Sequence, residues 1–243
     1  MAPRTLIAQA LTPDQEPVTL TLEQGHHVVR VRGEVLMSSR VSGSEQALAQ
    51  LAFAGTVGGP VRRVLVGGLG MGFTLRAVLD ELDASAQVDV LELLASVVEW
   101  NRGPLAAYAA QPLDDPRVTI TVADVLAHLV TVGPAYDAIV LDIDNGPEAF
   151  TVATNNRLYL PAGLANLYAA LREGGVMVLW SAFRSPRFER LLRAAGFQTT
   201  SVTVRARGAI GKGARHTLFK GTRPFSLRGC ATSKGAWCDL YSR

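Results

Sequence analysis

Four glycines, at positions 67, 68, 70 and 72, punctuate "VLVGGLGMGF", straight after an apolar run and straight before a helix-like segment. Glycine-rich turns between a strand and a helix bind nucleotides for a physical reason. Without Cβ atoms the backbone approaches a ligand closely and adopts φ > 0 freely, and the following helix offers unpaired N–H groups. Here Gly68, Gly70 and Gly72 make a G-x-G-x-G pattern, with Met71 and Phe73 where polar phosphate binders would stand. Dinucleotide sites favour G-x-G-x-x-G, and phosphate loops end in Gly-Lys-Ser/Thr. On its own the turn is also compatible with glycines that serve packing alone.

Acidic residues at later strand ends extend the pattern. Glu92 closes "VDVLE" about twenty residues beyond the turn, where a carboxylate can accept both hydroxyls of a ribose diol. Asp124, after "TITVA", can cap the next helix or face an adenine amino group, and both readings stand. "IVLDIDNGP" puts Asp142, Asp144 and Asn145 at the mouth of the same crevice. Turn or acid chemistry at successive strand ends points to an adenosyl-type ligand. Asp142 is the candidate to orient a nucleophile or take its proton, with Asp144 as a second polar contact or a helix-start acid. Tyr159 is either a lining residue of the acceptor pocket or a core aromatic. His26, His27, His128 and His216 lack the spacing of a ligand set. No metal site is expected. The two cysteines, Cys230 and Cys238, fall near the end of the chain as a tail disulfide or two free thiols.

The elements that must position these groups are legible as alternation. Strands are expected at Arg63–Gly67, Val88–Glu92, Val118–Val122, Ala135–Asp142 and Val176–Ser181, followed by "FQTTSVTVRAR" and "ARHTLFKG". Helices are expected at Phe73–Leu82, Ser96–Ala109, Val125–Val130 and Ala162–Leu171, and in "SPRFERLLRAAGF". Strands separated by helices imply parallel pairing in an α/β layer fold. Ahead of them, "PVTLTLEQGHHVVRVRGEVLMSS" reads as a β-hairpin turning at Gln24-Gly25, and "GSEQALAQLAFAG" as a helix capped by Ser44. The expected organisation is an N-terminal β-hairpin extension over 1–45, a ligand-binding domain over 46–222 and a basic, aperiodic tail over 223–243.

Composition sets the bounds. In 243 residues 48% are apolar and 19% charged, enough for a sizeable core, and no apolar run is long enough to cross a bilayer. The N-terminus lacks the pattern of a signal peptide, so a cytoplasmic location is expected. The net charge of +3 is concentrated in "VRARGAIGKGARH" and "FKGTRPFSLR". With few interleaved aromatics these read as a solvated face and not as a nucleic-acid interface.

Taken together, these segments resemble the spermidine synthase-like branch of the class I S-adenosylmethionine-dependent transferases. "VRRVLVGGLGMGFTLRAVLD" is similar to that family's Gly-Gly-Gly-Asp-Gly-Gly turn, and "VLELLASVVEWNR" to its Glu-Ile-Asp strand end and helix. "DDPRVTITVADVLAHL" resembles its Asp-Pro-Arg-Val strand, and "YDAIVLDIDNGP" its Asp-Ser-Ser-Asp-Pro segment. The resemblance implies a Rossmann-like seven-stranded, methyltransferase-type sheet that binds S-adenosylmethionine or its decarboxylated form. Gly68, Gly70 and Gly72 would lie against the cofactor, Glu92 would bind the ribose and Asp124 the adenine, and Asp142 would sit beside the sulfonium. A homodimer is also compatible with the resemblance.

Three departures matter. Gly70 stands where the family's turn carries Asp, Asn145 where it carries the second Asp of its acidic motif, and Leu36 or Met37 where it carries Gln. Losing the turn carboxylate removes repulsion against the carboxylate of intact S-adenosylmethionine, ~1 kcal/mol in water for like charges at ~4 Å and more when partly buried. The leading expectation is therefore transfer of a methyl or related alkyl group from intact S-adenosylmethionine to a small-molecule acceptor. The alternatives are a divergent aminopropyltransferase of polyamine synthesis using the decarboxylated donor, and a non-catalytic adenosyl-binding scaffold.

Overall fold

The computed structural model describes residues 4–40, 42–54, 61–143, 146–147, 155–206 and 213–226. Asp144, Asn145, Cys230, Cys238 and the tail from 227 onward lie outside the described residues.

The chain opens with a four-stranded antiparallel sheet, in the order β1 (Arg4–Leu11), β2 (Pro17–Glu23), β3 (His26–Val31) and β4 (Glu34–Ser38). The expected hairpin is β2–β3. Its turn is set by Gln24 and Gly25, at φ 50° and 80°, which matches the twist of the flanking strands. One face of this sheet, with Val18, Leu20 and Val29, is fully buried. Strands β1 and β4 add an outer partner on each side of the expected pair.

Helix α1 (Gly43–Phe53) crosses the expected boundary at residue 45 and packs against the second sheet. That sheet has seven strands in the order β10-β11-β9-β8-β5-β6-β7. β5 (Arg63–Gly67), β6 (Gln87–Glu92), β7 (Val118–Val122), β8 (Tyr136–Leu141) and β9 (Leu171–Ser181) run parallel, while β10 (Gln198–Arg205) and β11 (Arg215–Thr222) close one edge antiparallel. Helices α2 (Phe73–Asp80), α3 (Ala95–Arg102), α4 (Val125–Thr131), α5 (Pro161–Ala170) and α6 (Pro186–Ala194) connect them.

Covered on both faces, the central strands read as unbroken apolar runs. Val64 and Val66 enter one core with Leu48, Leu75 and Val78, while Leu65 and Ile139 enter the other with Leu164, Leu167 and Phe188. The strand order reverses at β5, whose neighbours β6 and β8 leave in opposite directions. A crevice forms outside the strands' carboxyl ends at such a switch point.

Two local expectations are corrected. The helix expected over Ser96–Ala109 stops at Arg102, because Pro104 lacks the N–H to continue it; the chain resumes as a 3-10 turn, Ala106–Ala109. Ser44 does not cap α1. The flanking residue is Ser42, without a side-chain cap bond, and the Ser44 hydroxyl is given to Glu45 instead. Among the described residues, no helix is long and apolar enough to cross a membrane.

Candidate functional site

The glycine turn is tied into the sheet at both sides. Gly68 N–H donates to Leu91 O of β6 at 2.9 Å, and Asp142 N–H donates to Gly67 O at 2.9 Å. Gly68 sits at φ +86°, and a Cβ there would collide with the Asp142 carbonyl. This position demands glycine for both torsion and space. Gly70, at φ +54°, is different: a Cβ there meets nothing closer than the Met37 sulfur at 3.9 Å. Gly72, at φ +81°, precedes α2.

Glu92 ends β6 beneath this turn and is 8% exposed. One carboxylate oxygen accepts from Leu69 N–H and the other from Leu94 N–H, both at 2.9 Å. Burial pushes its pKa up, against the lowering effect of these N–H groups. The N–H groups of Gly70 and Leu93 lower it as well, so four main-chain donors surround this carboxylate. The turn leaves open space at Gly70 above a buried carboxylate, so the residues fit an adenosyl group.

Asp124 lies at the next strand end, exposed, with its side chain accepting from Leu126 N–H at 2.8 Å as the N-cap of α4. Asp142 follows β8 and accepts from the Thr74 hydroxyl at 2.5 Å; burial raises its pKa. Thr74 is in the first turn of α2, so the turn, the helix start and this carboxylate form one unit. Tyr159 is 5% exposed and packs edge-on to Phe188 in the core, with its hydroxyl donating to Ile143 O at 3.1 Å. It supports the backbone immediately after Asp142.

Three neighbours had no sequence signal. Asn101 of α3 is 2% exposed, and its amide donates to Gly70 O at 2.8 Å and to Val97 O at 2.9 Å. It therefore clamps the glycine turn to α3. Thr74 was an ordinary helix residue in the sequence. Glu45, in the first turn of α1, lies close enough to Asp142 for their charges to interact. Only the packing of α1 against α2 and β8 brings it there.

The described fold is a doubly wound α/β sheet whose switch-point crevice carries a glycine turn and the carboxylates of Glu92 and Asp142. Residues 48–192 match the spermine/spermidine synthase domain. This is more than half of the chain, and the protein belongs to that family.

Among curated relatives, the polyamine aminopropyltransferase of Clostridium perfringens is 31% identical over 135 residues, covering 55% of this chain and 44% of the relative. That of Mycobacterium tuberculosis is 32% identical over 152 residues, covering 59% of this chain and 28% of the relative. The chain spans less than half the length of these curated relatives. Among solved structures, a spermidine synthase in complex with the transition state analogue AdoDATO superposes with a TM-score of 0.72 at 20% identity, covering 91% of this chain and 75% of that one. The spermidine synthase of Thermotoga maritima gives 0.69 at 18% identity, covering 91% and 73%. At this identity the structural likeness shows the fold.

Proposed function

We propose that the protein is a transferase that moves an aminopropyl group from decarboxylated S-adenosylmethionine to a small amine. The observation that carries this reading is the reach of the family match, residues 48–192, which includes the glycine turn, Glu92, Asp124 and Asp142. The names of the curated relatives, and the analogue bound in the neighbouring spermidine synthase, favour aminopropyl over methyl transfer.

The donor supplies an electrophilic carbon on a sulfonium. The chain's residues do the rest. Glu92 holds the ribose diol, Gly70 gives the backbone close approach, and Asp124 faces the adenine edge while capping α4. Asp142, kept partly unsolvated beside Thr74, receives the proton that the acceptor's ammonium must lose before its nitrogen can attack. Positioning of the two reactants supplies much of the rate, on the order of 7–11 kcal/mol for well-oriented groups.

One observation favours a second reading, methyl or related alkyl transfer from intact S-adenosylmethionine: Gly70 carries no carboxylate to repel that donor's own. Thermal shift with each donor, followed by mass spectrometry of 1,4-diaminobutane incubated with protein and donor, separates the two. A ligand at a hundredfold excess over its Kd stabilises by about 2.7 kcal/mol, well within detection. We expect the larger shift from the decarboxylated donor, together with an aminopropylated diamine. A larger shift from intact S-adenosylmethionine with methylated product would replace the proposal. No shift from either would favour a non-catalytic scaffold.

A further inference from the structure

Charge in this chain is divided by position. Residues 1–173 hold 19 acids against 11 Lys and Arg, whereas residues 174–243 hold 13 Lys and Arg against two acids, Glu189 and Asp239. Read segment by segment, these cations are a solvated face; the fold gathers them. Arg184 precedes α6, Arg187 and Arg190 lie along it, Arg205 ends β10 and Arg215 begins β11, and all five are exposed. β9 ends at Ser181, whose ladder partner is Thr217, two residues from Arg215. The loop that carries Arg184 therefore leaves the same end of the sheet as Arg205 and Arg215. Side chains alternate along a strand, so Arg205 shares its face with Ser201, whose hydroxyl donates to Glu189 of α6 at 2.7 Å. One surface thus joins α6 to the edge of the sheet.

Two features distinguish this surface from ordinary solvated charge. The first is a lack of compensation. Glu189 is already engaged by Arg193 at 3.1 Å and by Ser201. Among the described residues, none of the five arginines has an ion pair. Arg205 and Arg215 stand directly opposite each other in the β10–β11 ladder, where like charges destabilise a sheet. An anion between them removes that repulsion. The second feature is an aromatic ring beside the charge. Phe183 is 57% exposed, yet its backbone is fixed. Its N–H donates to the Ser181 hydroxyl at 3.2 Å, and its carbonyl accepts from the same hydroxyl at 2.9 Å. Two residues on, Ser185 caps α6 by accepting from Phe188 N–H at 3.1 Å. The ring is held out in water on a braced loop.

We propose that this face binds single-stranded nucleic acid, with the arginines of α6, β10 and β11 on its phosphates and Phe183 stacked on a base. The contact chemistry chooses among polyanions. Guanidinium groups match phosphate oxygens with two parallel hydrogen bonds, and a ring beside a basic track is the platform on which an unpaired base stacks. An acidic peptide supplies no base for Phe183. A lipid surface calls for an apolar helix face turned outward, whereas Phe188 and Leu192, the buried residues of α6, are in the core. A duplex keeps its bases stacked on one another and offers the ring none. The inference does not rest on the aminopropyl-transfer reading.

The test uses the full chain and the fluorescence anisotropy of a labelled oligouridylate about 20 nucleotides long, titrated between about 50 and 200 mM salt. Five arginine contacts to a single strand give a slope of log K against log salt of about −3.5, so affinity should fall on the order of a hundredfold over that range. Arg205→Gln combined with Arg215→Gln should reduce the slope by about 1.4. Phe183→Ala should instead weaken binding about fivefold or more with the slope unchanged, the scale of one stacked base. This split separates charge from stacking. All three positions are exposed, so both variants should fold. The thermal midpoint of the arginine variant should equal or exceed that of the wild type, because a like-charge pair is removed.

Folded variants that bind the oligonucleotide as the wild type does would overturn the proposal, as would a duplex of the same length that binds as tightly as the single strand. Vesicles containing phosphatidylserine that bind the chain while oligouridylate does not would give the face to a membrane instead. Polyglutamate that competes as well as the oligonucleotide would reduce it to an unspecific anion surface. No binding at the lowest salt would leave the arginines solvated and remove the proposal, without touching the transferase reading.

Discussion

Glu92 builds the glycine turn and is proposed to hold the donor's ribose, and this shapes what its removal should do. Its oxygens hold the N–H groups of Leu69 and Leu94, so the acid builds the turn above it. Glu92→Ala should lose roughly 1.5–3 kcal/mol of donor affinity, the range for a hydrogen bond to a charged group, and should also destabilise the fold by leaving two N–H groups unpaired. Glu92→Gln keeps one acceptor oxygen and should retain more stability than affinity. Calorimetry with unchanged donor affinity in either variant would remove Glu92 from the site.

Glu45 makes a second residue-scale prediction, on pH. Its folded pKa, about 7, lies above the ordinary 4.5, so the folded chain keeps a proton that the unfolded chain has lost. That contribution to stability is complete below about pH 4.5 and is lost as pH rises through about 7. Asp142 and Glu92 are raised in the same sense. The wild type should therefore lose more stability across this window than Glu45→Gln, measured by denaturant unfolding. Parallel curves would mean that Glu45 titrates normally. The places of Glu92 and Asp142 at the ends of β6 and β8 were legible because strand ends announce themselves in the sequence. Glu45 was not, since nothing local marks a helix residue that tertiary packing brings to a distant strand end.

At the scale of elements, sequence periodicity worked where the environment is uniform. β5 and β7 fall at the expected residues because a short apolar or alternating run is bounded by turn residues. It worked less well at edges. β1 and β4 lie at the two edges of their sheet and have no fully buried residue, so no apolar face marks them. α3 was overextended because its apolar spacing continues past Gly103 and Pro104, where the backbone cannot.

The turn between β5 and α2 offers an element-scale test, because two of its glycines are required for different reasons. Gly70→Ala places a Cβ in open space at positive φ and should cost about 1–2 kcal/mol, the usual penalty for a left-handed residue. Gly68→Ala adds a collision with the Asp142 backbone and should cost distinctly more, with loss of donor binding as β5 and β8 are pushed apart. Denaturant unfolding of the pair decides it. Equal costs would mean that the backbone at Gly68 relaxes freely and that the turn is not held between the strands.

At the scale of the whole molecule, the limit of the folded unit lies beyond the end of β11. Arg223 N–H donates to Gly175 O and its carbonyl accepts from Gly174 N–H, both at 2.8 Å. Its guanidinium donates to Leu171 O at 2.6 Å and to Tyr168 O at 3.0 Å, and stacks 4.8 Å from the Tyr168 ring centroid. Phe225 presses its ring onto Gly174. These contacts close the start of β9 against α5, on the edge of the core that holds Leu167 and Phe219. The tail expected to begin at 223 thus starts with a segment that is bonded to the domain.

Two truncations test this placement. Removing residues 227–243 should leave the thermal midpoint within about a degree or two, because that aperiodic sequence has no pattern for burial. Removing 223–243 deletes several hydrogen bonds at about 1 kcal/mol each. At roughly 2–4 °C per kcal/mol for a domain of this size, the midpoint should fall by clearly more than in the shorter truncation. Calorimetric scans of the two chains make the comparison. Equal small losses would show that Arg223 and Phe225 only decorate the surface. A large loss from the shorter truncation would instead extend the folded unit past residue 226.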